Sequence, residues 1–339
     1  MKDFAKLKTV WDLDNIPVIY IFAGVMYESL LELDPIRINF SNSGNVVLNT
    51  VLAFIMFGVA LNIRIGQFKK LLQSPKPVFL GLSLQFIVLP SVTFALVILL
   101  NKLITPTVAM GMILVAACPG GNISNFMTSL SKGNTELSVT LTTFSTVLAV
   151  LMTPFNFGFW GGLYVDFFNH TAGDMLQPLE IEYSLMFETV IIIIGIPVLL
   201  GVAFSKYFPG MSVKLKKVLQ QVSILFFAVL VVILFTNNWG LFVKHIKYIF
   251  IIVLIHNSAC LLSGYYIARL FKQPGDNCRT MTIETGIQNS GLGLVLLLNP
   301  NIFPPETATG GMFFITAWWG IWHIVSGLGL SLYWSRKRL

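Results

Sequence analysis

The sequence predicts an all-α polytopic membrane protein, and three observations lead there. Of 339 residues, 55% are apolar and only 11% are charged, with a mean hydropathy of +0.78. Soluble domains carry about 25% charged residues. A soluble globule so poor in charge would have to bury nearly all of itself, which surface-to-volume scaling forbids. The apolar residues also gather into charge-free stretches of the ~20 residues a helix needs to cross hydrocarbon. Finally, lysine and arginine collect in alternate connections between those stretches, the pattern of a chain threading a membrane.

Taken in order, the apolar stretches are 16–33, 46–63, 78–100, 107–131, 135–156, 186–205, 219–237, 246–269, 280–299 and 310–335, ten in all. With the N-terminus in the cytoplasm, the inner side holds 18 of the lysines and arginines. The outer side keeps four, Arg37, Lys102, Lys244 and Lys247. The longest outer connection, 157–185, carries Asp166, Asp174, Glu180 and Glu182 and no basic residue. Both termini are therefore expected inside. The net charge of +7 reads as a topology signal, and no nucleic-acid partner is called for. Cys118, Cys260 and Cys278 show no CxxC spacing, so neither a zinc site nor a disulfide framework is indicated. The first apolar run is broken by Tyr20, Tyr27 and Glu28 with no small-residue cleavage site after it, so no cleavable signal peptide is expected. The short tails fit a bacterial inner membrane.

Two stretches do not read as ordinary spanning helix. Cys118-Pro119-Gly120-Gly121-Asn122-Ile123-Ser124-Asn125 interrupts the fourth span. Glu284-Thr285-Gly286-Ile287-Gln288-Asn289-Ser290-Gly291-Leu292-Gly293 interrupts the ninth. Irregular backbone at mid-span is tolerated only when buried in protein or lining a wet cavity. One break alone reads as a kink, since Pro and Gly are common in membrane helices. The pair says more. The fourth and ninth spans are equivalent members of two five-span halves, 1–170 and 171–339, and an odd number of spans per half turns the halves opposite ways. Interrupted helices at matching positions of inverted repeats point to a transporter's central site. Half-helix N-termini suit an anion, and unwound carbonyls suit a small hard cation such as sodium.

Glu284 is the one carboxylate placed near mid-membrane, and no Lys or Arg occurs from Thr280 to Ser335 to pair with it. An isolated carboxylate at that depth must face a bound cation, find a partner or take up a proton. Gln85 breaks the otherwise apolar third span. Ser138 and Thr142 lie four apart on one face of the fifth, where helix-to-helix bonding or back-bonding to the helix also accounts for them.

At these residues the sequence resembles the bile acid:sodium symporter family, particularly its bacterial members. The resemblance is carried by Ile55-Met56-Phe57-Gly58 with Leu61, by Gln85-Phe86 with Pro90, and by the block from Cys118 through Ser124-Asn125, Gly133-Asn134, Leu137-Ser138 and Thr142 to Thr153-Pro154. His256-Asn257, Thr282-Ile283-Glu284, Gln288-Asn289-Ser290-Gly291-Leu292, Trp322-His323 and Ser326-Gly327 complete it. It implies two co-transported sodium ions bound where the broken helices cross. The first would use Ser124, Asn125, Ser138, Thr142 and Glu284. The second would use Gln85, Gln288 and Glu284 with carbonyls near Thr285 and Ile287. It also implies a panel domain of spans 1, 2, 6 and 7 and a core domain of spans 3–5 and 8–10, the core moving against the panel.

The substrate class implied by the resemblance is an organic anion, from bile acids and sulfated steroids to small hydroxy or keto acids such as pantoate. Asn122, Asn289 and His323 would line its site. The chain departs from the pattern at Ile324, where the bacterial members carry Asn, and at Asn122, where some carry Thr. Two other functions compete with sodium symport. Glu284 as a proton carrier predicts activity without sodium, and Ser124 with His256 or His323 would make an intramembrane hydrolase, a dyad that needs an oriented base and an oxyanion hole. Cys118 reads as a small apolar filler, Asn169-His170-Thr171 as a chance glycosylation sequon, and Lys206 with Lys214 to Lys217 as headgroup anchors. No organic cofactor is expected, and a monomer is plausible.

Overall fold

The computed structural model describes residues 18–37, 42–61, 63, 74–121, 123–172, 183–237, 239–304 and 306–337. Among them the regular elements are helical. They run α1 Val18–Leu31, α2 Asn42–Ala60, α3 Pro75–Leu99, α4 Pro106–Ala117, α5 Ile123–Leu130 and α6 Thr135–Ala172. Next come α7 Tyr183–Val190, continuing through a π turn into α8 Ile196–Tyr207, then α9 Pro209–Asn237 and α10 Trp239–Leu270. Last are α11 Gly275–Gly286, α12 Ser290–Leu297 and α13 Gly310–Ser335. Helix lies along each apolar stretch read from the sequence. Four of the described helices, Pro75–Leu99, Thr135–His170, Trp239–Leu270 and Gly310–Ser335, are long and apolar enough to cross a membrane. Large apolar side chains such as Leu99 (76% exposed) and Leu199 (71%) point outward, which lipid tolerates and water does not. This is an integral membrane protein.

One boundary differs from expectation. The stretch 157–185 is not an outer connection throughout, because α6 continues as helix to Ala172 and spans 38 residues. Pro154 is accommodated inside it. Beyond the proline, Phe157, Gly161 and Tyr164 form a helical stripe that is fully buried. Phe157 meets Phe303 edge-on at 6.0 Å, and Gly161 admits the Met110 methyl. That burial extends the helix past the point where the sequence loses its uniform hydropathy.

Connections that the charge pattern groups together also meet in space. At one end, the turn after α1 touches the start of α4 through Asp34 and the start of α13 through the Thr309 N–H, which donates to the Ile36 carbonyl at 3.2 Å. At the other, Asn134 donates to Asn277 Oδ1 at 2.9 Å, and Arg279 donates to the Ser131 carbonyl at 2.8 Å. Between these ends α4 is buried along its whole inner run from Thr107 to Ala117, against α13, α6 and α3.

Close helix contact in lipid depends on small residues. A Cβ on Gly111 would lie 2.7 Å from the Met312 Cα, backbone that cannot move aside, whereas Gly24 faces nothing within 4 Å among the described residues. Gly111→Ala is therefore expected to lower the melting temperature in detergent, an overpacking loss of about 1–3 kcal/mol. Gly24→Ala should hold or raise it, by up to about 1 kcal/mol of helix propensity.

Candidate functional site

The site begins with two places where helix cannot continue. Pro119 disfavours the helical conformation for the residue before it, and here Cys118 turns extended (φ −75°, ψ 152°) and α4 ends. After α11, Ile287 leaves helical geometry (φ −111°, ψ 87°), and Asn289 starts α12 by accepting the Leu292 N–H on its side chain at 3.1 Å. These two interruptions lie against each other. The Gly121 N–H donates to the Ile287 carbonyl and the Asn289 N–H to the Pro119 carbonyl, both at 2.8 Å, around an antiparallel bridge of Gly120 and Gln288. Four backbone groups freed by the breaks are thus satisfied without water.

Glu284, in the last turn of α11, is fully buried beside this bridge. Ser124 from α5 donates to its Oε1 at 2.6 Å, and Ser138 from α6 donates to the same oxygen. Thr142, one turn on, is 3.3 Å from Oε2, and Gln85 Nε2 is 3.4 Å from it. None of these partners is cationic. Asn125 joins through its Oδ1, 2.8 Å from Ser138 Oγ and 3.3 Å from Thr142 Oγ1. The first predicted set, Ser124, Asn125, Ser138, Thr142 and Glu284, is therefore brought together from three helices.

The second set meets at the same bridge. Gln85 lies in a π turn, Leu84–Val88, inside α3. Pro90 lacks the N–H that would bond the Phe86 carbonyl, and Asn156 Nδ2 on α6 supplies a donor there instead, at 3.1 Å. The looser turn presents Gln85 to Glu284. Gln288 donates to the Thr285 carbonyl at 2.8 Å. The side-chain oxygens of Gln85 and Gln288 are both buried with no donor facing them among the described residues. Glycine at 120 leaves room for these groups: a Cβ would stand 2.8 Å from Gln85 Nε2 and 3.1 Å from Glu284 Oε2 and displace them. Two unfilled carbonyl oxygens, a carboxylate and three hydroxyls suit a hard monovalent cation.

Of the residues assigned to substrate, Asn289 is half-buried at the α12 N-terminus and His323 is buried on α13. Asn122 lies outside the described residues. A serine dyad is not assembled among the described residues: Ser124 bonds Glu284, while His256 meets Thr93 Oγ1 at 2.8 Å and the Trp319 ring at 4.6 Å. Cys118 is buried, its thiol donating to the Leu114 carbonyl.

Three features escaped sequence reading. Asn156 is one, legible only through the proline that frees its acceptor. Asp34 is another: Thr105 and Thr107 at the start of α4 donate to its Oδ1 at 2.6 and 2.5 Å. Burial holds the Asp34 carboxyl above the usual carboxylate range, outweighing those two hydrogen bonds, which act the other way. The third is a pair close by, Glu32 with Lys244 Nζ at 2.5 Å and with His245 Nε2 at 3.2 Å.

Fold and site together define a helical membrane protein with an oxygen-lined carboxylate where two broken helices cross. The family profile described as the sodium bile acid symporter family matches residues 49–245. The chain is 32% identical over 286 residues to an uncharacterised sodium-dependent transporter of Bacillus subtilis, covering 84% of this chain and 82% of that one. It is 30% identical over 279 residues to the ileal sodium/bile acid cotransporter of Oryctolagus cuniculus, covering 80% and 75%. It is also 30% identical over 245 residues to a probable chloroplastic sodium/metabolite cotransporter of Arabidopsis thaliana, covering 72% of this chain and 57% of that protein. The protein belongs to the sodium bile acid symporter family.

Asp34 gives a pH test whose sign is fixed. A carboxyl with a raised native pKa binds more protons folded than unfolded, so its contribution to stability falls as pH rises through and above the ordinary carboxylate range. Asp34→Asn keeps an oxygen for both threonines and removes the buried charge. Melting curves should show it at least as stable as wild type near neutral pH, with a flatter pH profile. Asp34→Ala leaves both hydroxyls without their acceptor and should lose about 1 kcal/mol or more.

Proposed function

We propose that this protein is a sodium-coupled symporter of an organic anion, working by alternating access with two sodium ions at the crossover. The observation that carries the reading is the pair of buried amide oxygens on Gln85 and Gln288, unfilled by any donor among the described residues, beside the buried carboxylate of Glu284. A proton carrier needs no such oxygens, whereas a bare cation needs several. Ser124, Asn125, Ser138, Thr142 and Glu284 would hold one ion. Gln85, Gln288 and Glu284, with the Thr285 and Ile287 carbonyls, would hold the other. The first cation offsets the buried carboxylate. The second leaves net positive charge near the α5 and α12 N-termini, where the partial positive charge of the helix ends already favours an anion. Asn122, Asn289 and His323 are assigned to that anion. The relatives' names point to a bile acid or a metabolite as cargo, and a steroid acid or a small hydroxy or keto acid such as pantoate fits the same chemistry.

Packing among spans 2, 6 and 7 fits the panel grouping, while span 1 packs on α10 of the core, Ser29 Oγ lying 2.9 Å from His245 Nδ1. Spans 2, 6 and 7 meet where Gly58 faces Leu219, Phe57 meets Phe204 edge-on at 5.7 Å, and Gly201 faces Ala60. The other body is built on α4 with α13 and on α10 with α11. We infer ten spans in two inverted five-span repeats, 1–170 and 171–339, in a bacterial inner membrane with both termini inside. If two sodium ions accompany one monoanion, one net charge moves inward. A potential of ~100 mV then adds about 2.3 kcal/mol to the sodium gradient.

Thermal stability of the purified protein tests the reading, with sodium titrated against a potassium control. A ligand that binds only the native state stabilises it by mass action, by about 1.4 kcal/mol at ten times its Kd. Sodium should raise the melting temperature where potassium does not, and Glu284→Ala should lose the effect. Organic anions added with sodium should stabilise further. An equal response to both cations, alike in wild type and variant, would sink sodium coupling and put proton coupling by Glu284 in its place.

A further inference from the structure

The backbone from Glu284 to Ile287 would serve the cation site through its carbonyls, whose aim depends on the tilt of the peptide planes. Its carbonyls are fixed by different elements. The Ile287 carbonyl takes the Gly121 N–H, and the Thr285 carbonyl takes Gln288 Nε2, both at 2.8 Å. Between them, the Gly286 carbonyl takes Asn257 Nδ2 from α10, also at 2.8 Å. The far side of that same peptide plane is held too, the Ile287 N–H donating to the Ile283 carbonyl at 2.9 Å. The plane whose tilt aims the two flanking carbonyls is therefore pinned at both edges, one of them by a single side chain.

That side chain has two faces to offer. A primary amide can present either its oxygen or its nitrogen, and only the nitrogen can satisfy a carbonyl. Asn257 is buried, and its Oδ1 accepts the Ser326 hydroxyl of α13 at 2.6 Å. This bond fixes which way the amide points. Turned over, Asn257 would set its oxygen against the Gly286 carbonyl, and the plane would tilt. Ser326 lies one turn beyond His323, with its Oγ 3.2 Å from the His323 carbonyl. One hydrogen-bonded pair thus joins the helix bearing a candidate substrate residue to the backbone of the cation site.

We propose that Ser326 and Asn257 are positioning residues: they set the tilt of the Gly286 peptide and, through it, the sodium affinity of the second site. The proposal rests on the sodium reading above. Ser326→Ala tests it most cleanly, because it removes one hydroxyl and leaves Asn257 in place. Full-length wild type, Ser326→Ala and Ser326→Thr would be melted across a sodium titration at constant ionic strength, with potassium as the replacement salt. In Ser326→Ala the sodium concentration for half-maximal stabilisation should rise roughly two- to tenfold, the range of one net hydrogen bond. Melting in potassium alone should drop modestly, because the buried Asn257 oxygen loses its donor, and Ser326→Thr should return the midpoint to within about twofold of wild type. A lower melting temperature in potassium with an unchanged sodium midpoint would mean a merely structural bond and overturn the proposal. So would a threonine variant that fails to restore the midpoint. A wild type indifferent to sodium is a different failure: the sodium reading falls first and takes this proposal with it.

Discussion

A backbone that leaves helical geometry in the middle of a membrane protein strands N–H and C=O groups where no water can reach them. Here two such failures repair each other. Gly121 and Asn289 donate across the crossover to Ile287 and Pro119, so neither interruption stands without the other. Everything functional depends on that exchange. It holds α5 and α12 with their N-termini beside the same point, and it sets Glu284, Gln85 and Gln288 around the Gly120 bridge.

The second constraint is electrostatic. A carboxylate with no exposed surface and no cationic partner is costly on its own. The protein surrounds it with hydroxyls from Ser124, Ser138 and Thr142, groups that donate to an oxygen in one orientation and offer lone pairs to a cation in another. The amide oxygens of Gln85 and Gln288 have no such alternative, since a carbonyl oxygen only accepts. This asymmetry underlies the proposed cation seat and gives the Gly120 contact its significance: any side chain there would occupy the space between Gln85 and Glu284.

Much of this was legible in the chain. Pro119 and the glycines of both breaks announced irregular backbone at mid-span, and Glu284 announced itself by lacking any nearby base. Gln85, Ser138 and Thr142 stood out as polar residues on apolar helices, and the fold brings all of them to Glu284. What escaped has common physical causes. The extension of α6 to Ala172 depends on burial against Met110 and Phe303, contacts that hydropathy along one strand of sequence does not contain. Asp34 looks like any solvated acid in a connection, because Thr105 and Thr107 are about seventy residues away. Asn156 matters only once Pro90 has freed the Phe86 carbonyl. Asn257 and Ser326 were visible as part of the family resemblance, yet their bond spans 69 residues and has no local signature.

The most direct measurement is equilibrium binding of radioactive sodium to the purified protein, wild type beside Gln288→Ala and Glu284→Ala. Saturable binding approaching two ions per chain is expected, falling to one without the Gln288 amide and to none without the Glu284 carboxylate. Sodium binding that survives loss of Glu284, or that never saturates in the wild type, would contradict a cation site built on that carboxylate.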